Sequence, residues 1–150
     1  MARAPFQILV FPFLKTNGNT IKYAVFQRRD LPGSWQAIAG GGEDNETPEE
    51  AARRELYEES GIEISGDLIK LDSMAMIPVV HICGFQWGPD VLTIPEYCFA
   101  VEVLNRNIKI SGEHTEFEWL NYTEAAKRLT WDSNKNALWE LNYRLTGNPA

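Results

Sequence analysis

The chain has 150 residues, 44% of them hydrophobic and 11% aromatic, with a formal charge of -7 and two cysteines. That length predicts one domain over residues 1–150 with its own core, and the acidic balance disfavours a protein that grips long nucleic acid by neutralising phosphates with lysine and arginine. Cys83 and Cys98 are too few for a disulfide framework and too isolated for a zinc motif, so the expected setting is a reducing cytoplasm.

In chain order, Gln7 to Phe13 and Lys22 to Gln27 are rich in β-branched and aromatic residues and predict two strands, parted by a polar stretch that holds an Asn-Gly pair. The apolar run Gln7 to Leu14 is broken by Pro12 and has only Arg3 as a basic flank, so it reads as a buried strand rather than a targeting segment. No run approaches the roughly 18 consecutive apolar residues that a bilayer span requires, and no membrane partner is expected. A turn with Pro32 and Gly33 leads to a third short strand, Trp35 to Ala39, after which Gly40, Gly41 and Gly42 predict a flexible loop.

Thr47 suits an N-cap, Pro48 the first helical position, and Glu50 completes a capping box. A helix should therefore start near residue 48 and stop at Gly61, where a left-handed residue commonly ends a helix. Leu68 to Met76, Ile94 to Leu104 and Phe117 to Leu120 predict further strands, with Gly84 to Asp90 as a connection. Asn121 with Glu124 marks a short helix, and Ser133 before Asn134 to Leu145 a longer one. Strands interspersed with helices point to an α/β layered domain with a mixed sheet.

Glu55, Glu58 and Glu59 fall at i, i+3 and i+4, which puts three carboxylates on one face of the first helix. Without neutralisation such pairs cost about 0.2–0.5 kcal/mol each, and the helix dipole disfavours anions near a C-terminal end. A solvated acidic surface is the plainer reading. The glycine segment that enters the same helix favours the other: a loop carbonyl beside three carboxylates suits a hard cation, magnesium or alternatively manganese.

The pattern Gly40, five residues, Glu46, seven residues, then Arg54, Glu55, Leu56, Tyr57, Glu58, Glu59, Ser60, Gly61 and Ile62 resembles the complete Nudix box, every fixed position being filled at its spacing. The resemblance implies an α/β/α sandwich, with the box as loop, helix and loop against a mixed sheet, and metal-assisted hydrolysis of a phosphoanhydride bond. It implies that Glu55, Glu58 and Glu59 hold magnesium together with the carbonyl of Gly40, and that Arg54 orients the glutamates. Glu46 then makes a local contact and Leu56 enters the core. A last ligand or general base comes from outside the box in many members; Glu113 is the first choice and Glu116 the second.

Outside the box the chain is similar to a narrower group, the dihydroneopterin triphosphate pyrophosphatases, in Gln27 to Asp30, Trp35 and Gln36, Tyr97 to Ala100, Glu113 and His114, and Trp131 with Ser133, Asn134 and Ala137. This resemblance implies a small nucleotide or pterin triphosphate as substrate, cut to monophosphate and pyrophosphate. The segment Gly41 to Asn45 does not match that group at every position, so a dinucleoside polyphosphate, ADP-ribose or an oxidised nucleotide stays open as substrate. A nucleotide sensor without turnover is the reading from another class, and the intact box glutamates weigh against it.

Arg28 and Arg29 are candidates for gripping phosphate through forked guanidinium donors, against the plainer reading of exposed arginines at a strand end. Trp35, Phe85, Trp87 and Trp131 are candidates for stacking on a ring, although an aromatic is more often core. Asn134 joins them as a substrate-binding candidate, and His114 beside Glu113 is expected to be a solvated loop histidine, with a part in shaping the site as the alternative. Many Nudix members are dimers, so a homodimer is left open.

Overall fold

The computed structural model describes residues 2–64 and 66–149. The strands are β1 (Arg3–Lys15), β2 (Ile21–Arg28), β3 (Trp35–Gln36), β4 (Ile38–Glu43), β5 (Ile69–Pro78), β6 (Thr93–Glu102) and β7 (His114–Leu120). The helices are α1 (Pro48–Ser60), α2 (Tyr122–Arg128) and α3 (Asp132–Thr146), and a single 3-10 turn spans Val79–His81.

Strand β1 is the axis of the sheet. Along one edge it runs parallel to β6, which pairs antiparallel with β5. Along the other edge its partner changes: β4 pairs with its first part, up to Val10 opposite Ile38, and β2 with its last residues, Phe13 to Lys15. Strand β2 then takes β3 and β7 as neighbours. The sheet therefore forks between β4 and the β2–β7 pair, and the chemistry described below lies at that fork.

Two apolar layers cover the sheet, as strand alternation requires when both faces are buried. Ile8, Val10, Ala24, Phe26, Ile38 and Phe99 pack with Ala51, Ala52 and Leu56 of α1. Leu9, Phe11, Tyr23, Val25, Cys98 and Ala100 pack with Ala125 of α2 and Ala137, Leu138 and Leu141 of α3. The result is the expected α/β/α sandwich with a mixed sheet.

The helix signals hold at the atomic level. Thr47 Oγ1 accepts from the Glu50 N–H at 3.2 Å and Glu50 Oε1 from the Thr47 N–H at 2.8 Å, while Gly61 closes α1 at φ 72° with its N–H donating to Tyr57 O. Asn121 Oδ1 caps α2 through the Glu124 N–H.

Three expectations need correction. Gly40, Gly41 and Gly42 form no flexible loop: they are strand β4, with Gly40 opposite Ile8 and Gly41 opposite Gln7. They are glycines because side chains from neighbouring elements occupy the room, Glu55 at Gly40, Arg3 at Gly41 and Phe6 at Gly42. The predicted third strand is in fact split, β3 pairing with β2 and β4 with β1. Helix α3 starts at Asp132, so Ser133 lies in its first turn and is not its cap. Its start is instead docked onto the sheet by Thr130, whose N–H donates to Trp35 O, and by Asn134.

Candidate active site

Arg54 organises the carboxylates. Its guanidinium donates to both oxygens of Glu46, at 2.8 and 3.0 Å, to Glu55 Oε1 at 2.9 Å, to Glu58 Oε2 at 3.2 Å and to the carbonyl of Gly41 at 2.9 Å. A planar fork of five donors can serve so many acceptors, which an ammonium cannot. Glu46 has its own part in this: Oε1 accepts from the Glu43 N–H at 2.8 Å and so fastens the turn between β4 and α1. Arg54 thus touches Glu46, Glu55 and Glu58 at once, and Leu56 is fully buried.

Glu55 is pressed against Gly40. An ideal Cβ on Gly40 would stand 2.5 Å from Glu55 Oε1 and closer still to the carboxyl carbon. Burial pushes the Glu55 carboxyl up to about 7, against the pull of Arg54 and with Glu58 and Glu113 adding to the rise. Glu58, one turn from Arg54, is on the exposed side of the helix.

Glu59 is only 2% exposed. Its Oε2 lies 3.1 Å from Nδ1 of His114, close enough for an ion pair, yet the two atoms are not aligned as a hydrogen bond and each is buried without a hydrogen-bonding partner. Burial raises the Glu59 carboxyl far above the ordinary glutamate range, and Glu113, Glu55 and Glu58 add to it. Burial conversely lowers His114, so its imidazole is neutral at pH 7. His114 is thus not a solvated loop histidine: it starts β7, packs on the ring of Phe26 with centroids 5.3 Å apart, and faces the box. The sequence favoured the solvated reading because a register shift between Gln27 and Arg28 breaks the strand alternation at that point.

Glu113 sits on the exposed turn before β7 and acts electrostatically on Glu59, Glu55 and His114. The turn is tied to α1 and β2 through the backbone. Ser111 N–H donates to Glu59 O, Lys109 N–H to Ser60 O, and Arg29 N–H to Glu113 O at 2.9 Å. Glu116 is placed differently. It pairs with Gln27, whose Nε2 donates to it at 2.9 Å, and Gln27 alternates with Val25 and Tyr23, which face α2 and α3 rather than α1.

The predicted substrate contacts are dispersed. Arg29 donates to the carbonyl of Gly112 at 2.7 Å, bracing the Glu113 turn, while Arg28 is paired with Asp30. Trp35 is 7% exposed, lies in the core and carries the Arg128 guanidinium 4.8 Å over its ring, so neither face is open for stacking. Trp131 is 43% exposed at the start of α3 and is available. Asn134 is buried, and its Oδ1 accepts from the Ala37 N–H at 2.8 Å, which makes it first a strut between α3 and the sheet.

The donor set suits a hard divalent cation: carboxylates from Glu55, Glu58, Glu59 and Glu113, beside the backbone of Gly40. The orphaned Oε2 of Glu59 and the raised affinity of Glu55 and Glu59 for protons are what an anionic cluster shows when its charge is uncompensated. As they stand among the described residues, no three acidic, imidazole or thiolate side chains converge on one point. Arg54 draws Glu55 and Glu58 toward itself instead.

Comparison with known proteins agrees with this geometry. A family model described as "NUDIX domain" matches residues 8–139. A solved structure of a protein from Listeria monocytogenes assigned to the NUDIX hydrolases is 42% identical, with a TM-score of 0.85 over 97% of each chain. The Escherichia coli dihydroneopterin triphosphate pyrophosphohydrolase superposes with a TM-score of 0.77 at 27% identity, covering 93% of this chain and 97% of that one. A bis(5'-nucleosyl)-tetraphosphatase (asymmetrical) of Rattus norvegicus is 27% identical over 91% of this chain and 88% of its own length.

Proposed function

The chain belongs to the NUDIX family and is a hydrolase, and on that premise we propose that it splits a small nucleoside or pterin triphosphate into monophosphate and pyrophosphate, with magnesium held by Glu55, Glu58, Glu59, Glu113 and the Gly40 carbonyl. The observation that carries this reading is Glu59, a buried carboxylate with an unpartnered oxygen between His114 and the Glu113 turn. Burying such a charge without a counter-charge costs several kcal/mol, and a cation cluster removes that cost.

These carboxylates would hold a divalent ion, and the chemistry supplied there would be charge neutralisation and a lowered pKa for a bound water. The protein's own groups do the rest. Arg54 fixes Glu55 and Glu58 and ties them to the β4–α1 turn through Glu46. Neutral His114 limits the rotation of Glu59. Glu113, an exposed carboxylate of the cluster, takes the proton of the attacking water as the water oxygen bonds to phosphorus and the anhydride P–O bond breaks, the electron pair leaving with the departing phosphate.

The substrate class follows the likeness to the Escherichia coli pyrophosphohydrolase, together with the exposed Trp131 beside α3. A second reading, an asymmetric dinucleoside tetraphosphate, follows the likeness to the rat enzyme; the chemistry at the box would be the same. Incubation with magnesium and dihydroneopterin triphosphate, the common nucleoside triphosphates, ADP-ribose and a dinucleoside tetraphosphate tests both, with products resolved by chromatography. Fastest pyrophosphate release from the pterin supports the first reading. Cleavage of the dinucleotide supports the second, and absence of metal-dependent turnover refutes both.

A further inference from the structure

On the sheet face opposite α1, four residues form one row across four strands. Gly41 of β4 is opposite Gln7 of β1, Gln7 is opposite Glu96 of β6, and Glu96 is opposite Ala75 of β5. Directly opposed residues share a face, and Glu96 alternates with Cys98 and Ala100, which pack under α3. A glycine and an alanine at the two ends leave Gln7 and Glu96 as the polar floor, and the start of α3 meets it through the Ser133 hydroxyl, which bears on Glu96.

Glu96 is 7% exposed, and its Oε1 is buried without a hydrogen-bonding partner. Burial raises the carboxyl above the ordinary glutamate range, and only the Ser133 hydroxyl works against that rise. Nothing in the box needs this group: it is two strand spacings, about 10 Å, from the strand that holds Gly40. Gln7 is oriented by Arg3, whose Nη2 donates to Gln7 Oε1, which leaves the Gln7 amide N–H groups as donors along the same row. The row thus offers a buried carboxylate with an orphaned oxygen beside an amide donor, about 10 Å from the strand that carries Gly40.

We propose that Glu96 reads the ring of the substrate, accepting two adjacent N–H donors from an amidine-type edge while Gln7 donates to a neighbouring ring carbonyl. The 2-amino-4-oxo ring of a pterin or guanine carries that sequence of groups. Adenine offers a single donor beside an acceptor and does not match. This assignment deepens the proposed triphosphate hydrolysis and rests on it for the phosphate part of the ligand.

Ligands without an anhydride bond separate the two claims. The 1H–15N spectrum of the full chain is titrated with neopterin, GMP and AMP, for the wild type and for Glu96→Gln. Wild type is expected to bind neopterin and GMP with shifts centred on Glu96 and Gln7, GMP about tenfold or more tighter than AMP, since one bidentate contact discriminates by that order. Glu96→Gln should lose the preference while keeping its spectrum dispersed. Should that variant not fold, Gln7→Leu is the second test, and it should weaken GMP without affecting AMP. Equal binding of GMP and AMP by wild type, or a preference that survives a folded Glu96→Gln or Gln7→Leu, overturns the assignment. Ring preference lost on substitution in a protein that hydrolyses no triphosphate would refute the proposed function and leave the ring site standing.

Discussion

The carboxyl group of Glu55 fills the space that a Cβ at Gly40 would need, with Oε1 2.5 Å from that point. The close approach crosses from helix α1 to strand β4 and couples two parts of the box that are 15 residues apart in sequence.

Gly40→Ala should therefore damage activity more than stability. Position 40 lacks a positive φ, and what it meets is the mobile end of a side chain, so the strand accepts alanine while Glu55 is displaced from Arg54. We expect turnover to fall by roughly one to two orders of magnitude, as a displacement of about 1 Å at a catalytic group can cause, with Tm changed by only a few degrees. Steady-state kinetics and a melting curve on one preparation check this; a collapse of Tm with normal specific activity of the folded fraction contradicts it.

Arg54→Lys should not rescue the function of Arg54. The guanidinium serves Glu46, Glu55, Glu58 and the Gly41 carbonyl at once, whereas lysine provides a single ammonium. Activity of the lysine variant is expected within a few-fold of Arg54→Ala, and retention of more than half of wild-type kcat would show that the fork is unnecessary.

Glu113→Gln and Glu116→Gln should diverge. Glu113 adjoins Glu59 and Glu55, while Glu116 bonds to Gln27 on the other face of β7. Loss of a proton acceptor costs about 10^2–10^4 in rate, so Glu113→Gln should fall into that range. Glu116→Gln is expected to stay within about twofold of wild type. The reverse order in kcat would move the base to Glu116.

Metal-free protein should lose stability as pH rises. The folded-state affinities of Glu55 and Glu59 for protons are raised, Glu55 to about 7, so between the ordinary glutamate value and that point the folded state holds more protons than the unfolded one. Stability then has a negative slope with pH in this window. The effect is on the order of 1–3 kcal/mol between pH 5 and pH 8, discounted for the partial exposure of Glu55, and magnesium at pH 8 should restore most of it. Melting curves with and without chelator at both pH values test the sign; a metal-free protein that is more stable at pH 8 than at pH 5 contradicts it.

Much of this architecture is legible in the sequence, and the reasons differ by element. Helix α1 is written locally, in Thr47, Pro48, Glu50 and Gly61, and its carboxylate face follows from helical period alone. Gly40 to Gly42 were open to misreading because their lack of side chains answers to contacts from Arg3, Phe6 and Glu55, distant in sequence. His114 could not be placed without the bulge opposite Arg28. Arg29 has the composition of a phosphate ligand but is used on the backbone of Gly112, a contact over 83 positions that no local pattern encodes. Trp35 shows the same limit: an aromatic's type does not say whether its ring faces solvent or, as here, a core and a guanidinium.

Glu59 is proposed above as the buried anchor of a divalent cation on which turnover depends. Its most direct test is magnesium-dependent release of pyrophosphate from dihydroneopterin triphosphate by wild type and by Glu59→Gln, each folded by its melting curve. Saturable dependence on magnesium is expected in the wild type, and a loss of at least about 10^2-fold in kcat in the variant. Turnover that survives Glu59→Gln, or that proceeds unchanged in chelator, would contradict it.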